Sequence, residues 1–593
     1  MGRAMMLVSV LVALALIVPG AAVAKHPKPV KTVDIQILGL NDFHGQLEFG
    51  DPISSSGFRI GGLAGTFPNQ TCIPPSCYPA GGVEYLSTHI KNLRATNPKN
   101  TVFVSAGDLI GATPLLSAAF HDEPTIEAFN LMKLDYNGVG NHEFDEGVSE
   151  LLRMQRGGCH PVDGCQDGDG FAGAKFDFLA ANVVYKKNNK PIFKPYKIHN
   201  FGHGVKVAFV GMTLEGTPLI VSPGGISTVN FLDEAETVNK LVPELKKKGA
   251  DVIVVLLHEG GCVGSPTPLS GCGAGSPATI NSCTNPHGAL PPIVEAMDDA
   301  IDIVITGYTN WAVNCLIDGK VVTGAASQGR LITDIDLSVD RKTGAIVGPI
   351  MVNNRIVTRD VPADPKLTTL IAKYKKVVAP IANAIVGQIT ANITRSPNSA
   401  GESALGDVIA DAQLAYTQAA GAQLAFMNPG GIRGDLTFAS SSVGEGDGVV
   451  TYGEAFAVQP FNNLVVTQDM TGAQIKAVLE QQWAACTPPG RSGGATVILQ
   501  VSASFTYSYN VSEPCGSRIS SMKLNGAPIV DGTTYRVSLN NFIADGGDSF
   551  PAFTAGTNKV YAPGFDVDAL AAYLGGPTKP IAPGPQNRIT SLP

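Results

Sequence analysis

The chain lacks several features that would mark it as a repeat protein, a membrane protein or a nucleic-acid coat. No segment recurs at a fixed period, which excludes solenoids and propellers built from stacked units. Past residue 18 no apolar stretch reaches the roughly 20 residues that a bilayer-spanning helix needs. The chain ends Ile589-Thr-Ser-Leu-Pro593 without the hydrophobic tail of a lipid-anchor signal. Positive charge is in deficit, with 42 Lys and Arg against 50 Asp and Glu for a net charge of -8. That balance argues against a nucleic-acid polymer or an anionic membrane surface as partner, since either draws a basic face. The 10 cysteines contain no Cys-x-x-Cys pair, so the spacing typical of a structural zinc site is absent.

What is present begins with an address. Arg3, an apolar stretch from Met5 to Val18, a Pro19-Gly20 break and the small-residue site Ala22-Val23-Ala24 read as a signal peptide over residues 1–24, cleaved before Lys25. The expected location is secreted or extracytoplasmic, at a cell surface or in a periplasm-like compartment, with no membrane span after cleavage. Ten cysteines in an exported chain imply disulfides. Cys72 with Cys77 and Cys159 with Cys165 are plausible small loops, and Cys486 and Cys515 stand alone in the C-terminal part as partners. Cys262, Cys272, Cys283 and Cys315 allow three connectivities that sequence does not separate, with a zinc site as the alternative.

Removal of the signal leaves some 569 residues, too many for one core, and two substantial domains are expected. Short β-branched runs at Val33–Leu40, Thr101–Ser105, Lys206–Met212, Ala250–Leu257 and Ile301–Thr306 read as buried strands, with helical stretches such as Phe231 to Lys248 between them. Alternating strands and helices predict an α/β fold. Lys366 to Val377 carries Leu370, Ile371, Tyr374 and Val377 at helical spacing and reads as an interdomain helix. The expected division is residues 31–358, a linker helix at 359–382 and a C-terminal domain at 383–593. Gly- and Pro-rich stretches at Arg156–Gly173 and Gly261–Pro277 read as disulfide-pinned loops.

The chemistry-bearing residues follow the strands. They are Asp42-Phe-His44, Gly107-Asp108, Gly140-Asn141-His142-Glu-Phe-Asp145 and His258. In open α/β sheets functional groups collect beyond the carboxyl ends of strands. Oxygen ligands from Asp and Asn mixed with imidazole suit hard or borderline divalent ions, and a carboxylate such as Asp108 can bridge two of them. Farther on stand Arg395, Asn428-Pro-Gly-Gly-Ile-Arg433, Gln459-Pro-Phe-Asn-Asn463 and Asn541-Phe-Ile-Ala-Asp-Gly-Gly-Asp548. They offer the Arg, amide, carboxylate and aromatic groups that a nucleotide's phosphate, ribose and base call for.

Together these strings resemble the 5'-nucleotidase family, a calcineurin-like metallophosphoesterase domain followed by a 5'-nucleotidase C-terminal domain. The resemblance implies an N-terminal sandwich of two mixed sheets flanked by helices and a separate C-terminal α/β nucleotide-binding domain. It implies two divalent ions (Mn, Zn, Co or Mg), one held by Asp42, His44 and Asp108 and the other by Asp108, Asn141 and His258. His142, paired with Asp145, would be catalytic. Arg395 and Arg433 would hold phosphate, Phe461 and Phe542 would sandwich the base, and Asn428, Gly430, Asn463 and Asp548 would complete the substrate site.

The family closes its metal site with Gly-His-x-His or Gly-His-x-Gln, where this chain has Gly307-Tyr308-Thr309-Asn310. Asn310 keeps an amide oxygen. Tyr308 stands where a ligand His is expected, and a phenol with a pKa of about 10 ligates only when deprotonated. Two readings stay open. One is an exported, metal-dependent 5'-nucleotidase acting on nucleoside monophosphates, with nucleotide sugars or other phosphate esters as a wider range. The other is a nucleotide-binding or surface interaction protein with an impaired metal centre. With the metal groups in one half and the base-binding groups in the other, substrate must bridge the two.

Overall fold

The computed structural model describes residues 30–50, 58–65, 70–263, 276–439, 444–486, 496–576 and 580–593. The expected signal peptide and Cys272 lie outside the described residues.

Two six-stranded mixed sheets form the first half. In one, Thr32–Leu40, Thr101–Ser105, Tyr136–Gly138 and Asp177–Leu179 run parallel, with Gln36 beside Thr101 and Leu40 beside Ser105. Leu331–Asp340 and Met351–Ile356 complete its other edge antiparallel. In the second, Lys206–Thr213, Val252–His258, Ile303–Thr306 and Lys320–Ala325 are parallel, flanked by antiparallel Tyr196–Asn200 and Ala312–Ile317.

The layering is written into Val252–His258, every residue of which is buried. Side chains alternate across a strand. Val252, Val254 and Leu256 enter the core between the sheets, together with Ile35, Ile37, Val102 and Val104 of the facing sheet. Ile253, Val255 and Leu257 enter the core beneath the helices Glu234–Lys247 and Leu290–Glu295. The opposite face of the first sheet packs Leu38, Leu40 and Phe103 under Val83–Thr96, Glu123–Met132 and Gly147–Arg156. A strand covered on both faces loses its polar alternation and reads as a continuous apolar run.

The second half is a five-stranded sheet, in spatial order Gln500–Val501, Leu424–Met427, Thr534–Asn540, Leu464–Thr471 and Thr557–Phe565, beside a four-stranded sheet. Helices Ala404–Tyr416 and Asp566–Leu574 pack on one core, and Gly472–Glu480 on the other.

A single helix, Pro365–Ala382, connects the halves, capped by the Asp364 side chain and started by a proline, whose missing N–H does no harm there. It buries Leu367, Leu370, Ile371, Tyr374 and Val378. Val377, expected on the buried face, is 42% exposed. The helix ends at Ala382, where the linker helix was expected to end, and its seam continues from Tyr374 to Val378, one full turn on.

Tyr374 is fully buried, edge-on to Phe120 at 4.7 Å, with its hydroxyl 3.1 Å from Glu127 Oε2 and 3.0 Å from Asp167 Oδ2. Lys373 Nζ adds ion pairs to Asp167 and Asp169 at 2.7 and 3.0 Å. The Arg156–Gly173 stretch, expected as a surface loop, thus also fastens the connecting helix. Its Cys159–Cys165 disulfide forms as expected, as do Cys72–Cys77 and Cys486–Cys515. Cys283 pairs with Cys315, which removes two of the three connectivities for that quartet.

Tyr374→Phe keeps the ring and removes only the hydroxyl from two carboxylates. Loss of a hydrogen bond to a charged group amounts to about 1.5–3 kcal/mol. The first urea-unfolding transition of the whole protein should shift by a loss in that range; an unmoved midpoint would show that the helix is not anchored through this group.

Candidate metal centre

Parallel strands in register bring their carboxyl ends level, and the motif residues leave from those ends. Asp42 follows the strand ending at Leu40, Asp108 the one ending at Ser105 and Asn141 the one ending at Gly138, while His258 is the last residue of its own strand. The loops turn back at once. Asp42, His44 and Asp108 adopt φ of 49°, 49° and 52°, a region that L-residues enter rarely and at an energetic cost. Gly107, at φ +97°, and Gly140 make the convergence possible. A Cβ on Gly107 would stand 2.6 Å from His258 Nδ1, and one on Gly140 would stand 2.2 Å from Asp108 Oδ1.

Asp108 is the hub. Its Oδ2 lies 3.0 Å from His258 Nε2 and 3.8 Å from His44 Nε2, and its Oδ1 accepts from the His142 backbone N–H at 2.9 Å. Asp42 Oδ1 is 3.9 Å from His44 Nε2 and accepts from Tyr308 N at 3.0 Å. Asn141 Oδ1 is 3.1 Å from His258 Nε2. Both histidines commit Nδ1 to a backbone carbonyl, His44 to Gly111 O at 2.9 Å and His258 to Ala106 O at 2.8 Å. That fixes the tautomer and leaves each Nε2 facing the carboxylates, the arrangement that orients metal-binding imidazoles. Among the described residues, Asp42, Asp108 and His258, and separately His44, Asp108 and His142, gather donor atoms within 4.8 Å. The donor set therefore fits divalent cations.

The electrostatics agree. Burial pushes Asp42 up to about 7. Burial also works against the charge on Asp108, but His258 and His142 outweigh it and hold the carboxyl below its ordinary range. Burial opposes a charged His258, yet Asp108 raises it to about 10. Burial lowers His44 to about 3, so its ring is neutral with its lone pair available.

His142 Nδ1 is 2.8 Å from Asp145 Oδ2, and its ring lies edge-on to His44 at 5.1 Å. Burial opposes its charge, but Asp145 and Asp108 raise it above the ordinary imidazole value. The second half reaches this point. Phe461 stacks on His142 at 5.8 Å and 18°, and Arg433 Cζ lies 5.8 Å from the Phe461 centroid. No carboxylate comes within 4.0 Å of the Arg433 guanidinium among the described residues. The Arg395 guanidinium donates to Ile432 O at 3.0 Å. Asn428 joins Asp548 at 2.7 Å and accepts from Asn540 at 2.9 Å, and Gly430 lies so close to Asp548 that a Cβ would meet it at 3.2 Å. Asn463 donates to Asp566 at 3.4 Å. Phe542 packs on the C-terminal core and makes no ring contact with Phe461 among the described residues.

Tyr308, at φ 70°, packs edge-on to His258 at 6.0 Å. Burial, then the charges of Glu259 and Asp548, keep its phenol protonated. Asn310 turns its Nδ2 to Tyr308 O at 3.2 Å.

Sequence reasoning passed over three buried supports. Glu143 accepts from Asp108 N and Gly140 N through Oε2, at 2.9 and 2.6 Å, and from Leu109 N and Asn137 Nδ2 through Oε1, at 2.9 and 3.2 Å. Asn41 donates to Asp42 Oδ2 and to Ala326 O and accepts from Ala325 N. Asp122 Oδ2 accepts from Gly111 N at 3.1 Å, behind the carbonyl that orients His44. Glu143 sits inside a motif and Asn41 beside one, which was the available signal; Asp122 stands apart from every motif.

Residues 380–555 match the family described as 5'-nucleotidase, C-terminal domain. The cell wall protein Lmo0130 of Listeria monocytogenes is 32% identical over 574 residues, covering 92% of this chain and 67% of its own length. Endonuclease YhcR of Bacillus subtilis is 29% identical over 567 residues, covering 95% of this chain, and the chain spans only 41% of that relative's length. Among solved structures, the 5'-nucleotidase precursor from Thermus thermophilus superposes with a TM-score of 0.71 at 24% identity, covering 94% of this chain and 99% of that one. At that identity the likeness is one of fold.

Glu143→Gln would turn an amide N–H₂ toward backbone N–H groups and break the tie between the Gly107 and Gly140 loops. Outer-shell partners of metal sites are worth roughly 10–100-fold in affinity. Manganese titrated calorimetrically into the folded variant should bind weaker by that factor; wild-type affinity would refute the role assigned to Glu143.

Proposed function

Because the chain belongs to the 5'-nucleotidase family, we propose that it is an exported, divalent-metal-dependent 5'-nucleotidase that releases phosphate from nucleoside monophosphates. One observation carries the reading: the Asp108 carboxylate lies between two Nε2-exposing histidines, with the carboxylate-free Arg433 guanidinium reaching the same point from the other half. Export is supported by the signal-like N-terminus and by the cell-wall relative.

Asp42, His44 and Asp108 would hold one cation, and Asp108, Asn141 and His258 the other, of the Mn, Zn, Co or Mg class. When bound, such ions supply Lewis acidity and an acidified water for phosphoryl transfer. Arg433 and Arg395 hold the phosphate dianion. His142, charged beside Asp145, donates its Nε2 proton to the departing ribose oxygen, while Asp145 fixes the ring's orientation. Asn428, Gly430, Asn463 and Asp548 line the nucleoside side, and Phe461 and Phe542 offer faces to the base. Tyr308, protonated, acts as a neutral wall and holds Asp42 through its backbone N–H.

A second reading, a nucleotide-binding protein with little turnover, draws on Tyr308, a phenol where a ligand histidine is expected, and on Asn310, whose Nδ2 donates to Tyr308 O. Phosphate release from AMP by chelator-stripped protein, with Mn, Zn, Co and Mg added back singly, decides between the two. Turnover with any one of them supports the enzyme; AMP binding without turnover in all of them supports the second reading.

His142→Ala should lower kcat for AMP by about 10²–10⁴-fold, the usual span for a lost general acid. It should lower kcat much less for an aryl phosphate whose leaving group needs no proton, and equal losses on both would refute that role. Phe461→Ala should raise KM for AMP and leave KM for the aryl ester unchanged; parallel changes would argue against base stacking.

A further inference from the structure

Asp122 immediately precedes the helix Glu123–Met132, yet its carboxylate makes no capping bond to that helix. An Asp at this place ordinarily accepts from the second or third N–H of its own helix. Here both oxygens turn the other way. Oδ1 accepts from the Ser117 hydroxyl at 2.7 Å, and Oδ2 accepts from the Gly111 N–H at 3.1 Å. Asp122 is buried, and that burial pushes its carboxyl up to about 6. A charge is therefore kept in the interior against its solvation preference. The backbone is strained as well, with φ of 49° at His121 and 63° at Asp122. Such conformations persist only where the surroundings hold them, and they gather at functional sites.

What Asp122 holds is one peptide unit with two duties. The Gly111 carbonyl accepts from His44 Nδ1 at 2.9 Å. The N–H of the same peptide, on Ala112, donates to Asp145 Oδ2 at 3.2 Å, and that oxygen is the one 2.8 Å from His142 Nδ1. A trans peptide is planar, with its C=O and N–H pointing opposite ways, so turning it disturbs both bonds at once. Gly111, at φ +83°, has no room for a side chain: a Cβ would stand 2.3 Å from His142 O and 2.7 Å from Asp145 Oδ2. We propose that Asp122 is a positioning residue for the reaction, holding the Gly111–Ala112 peptide so that His44 and the His142–Asp145 pair are set together.

The anchor of this arrangement reaches the second half. Ser117 is fully buried, lies 2.7 Å from Thr125 Oγ1 and belongs to the short helix Leu115–Ala118. Leu115 and Ala118 of that helix pack on a core of the C-terminal half. The carboxylate that fixes the peptide is thus itself fixed where the two halves meet.

The test compares the full mature protein with its Asp122→Ala and Asp122→Asn variants. Manganese titrated calorimetrically into chelator-stripped Asp122→Ala should bind about 10-fold weaker, the lower end of the span for outer-shell partners of a metal site. At saturating manganese, kcat for AMP should fall further than kcat for an aryl phosphate, because only AMP draws on the His142 proton. KM for AMP should stay unchanged, since Arg433 and Phe461 are untouched. Asn keeps an oxygen for the Gly111 N–H and can turn its amide N–H₂ to Ser117 Oγ, so Asp122→Asn should recover most of both losses. Where Asp122→Ala does not fold, Ser117→Ala takes its place, with changes of the same sign. A lowered unfolding midpoint with wild-type manganese affinity and a wild-type AMP-to-aryl ratio would mark a purely structural residue and overturn the proposal. Weaker manganese binding with an unchanged ratio would refute the shared peptide. The ratio rests on the proposed nucleotidase activity and the manganese affinity does not: an inactive wild type defeats that activity alone, and the affinity still decides the role of Asp122.

Discussion

Burying two carboxylates beside one another costs several kcal/mol per ion unless positive charge joins them, and Asp42 and Asp108 are both almost wholly buried. The surrounding structure answers that demand. His44 and His258 turn Nε2 inward, the backbone N–H groups of Tyr308 and His142 donate to the carboxylates, and Arg433 adds charge from the other half. The same low-dielectric setting that makes the unpaired carboxylates costly makes a bound cation tightly held. Glycines at 107 and 140 follow from the same requirement, because only a residue without Cβ lets the Asp108 loop, the Asn141 loop and His258 approach as closely as they do.

The site belongs to both halves. His142 is flanked by His44 from its own half and by Phe461 from the other, and Arg433 lies against Phe461, so these groups meet only when the halves are together. The connecting helix is not a free linker. Tyr374 and Lys373 fasten it to the first half through Glu127, Asp167 and Asp169.

Much of the candidate centre was legible because its donor residues come in short strings directly after β-branched runs. Asp42 and His44 share one loop, Asn141, His142 and Asp145 another, and His258 terminates a run that is apolar on both faces. The two-sheet architecture was legible only through the family resemblance, since a strand buried on both sides carries no period that says which sheet it joins. Glu143, Asn41 and Asp122 were not legible as supports. Their partners are backbone groups of other loops, and nothing local distinguishes a carboxylate that braces a loop from one that faces water. The helical seam was placed at Val377 instead of Val378 because apolar residues stand at both positions and only packing selects between them. The pairing of Cys283 with Cys315 depends on which strand edge passes the loop.

By itself, the sequence determined the α/β class, the order of the donor-bearing loops and the types of donor gathered at the candidate centre, because these depend on side-chain period and on groups a few residues apart. The tertiary structure decided which histidine nitrogen faces the carboxylates, which glycines allow the loops to meet, how Phe461 comes to lie on His142, and that the Gly111–Ala112 peptide bonds both His44 and Asp145. Those outcomes depend on distances between segments tens to hundreds of residues apart, and only packing sets such distances.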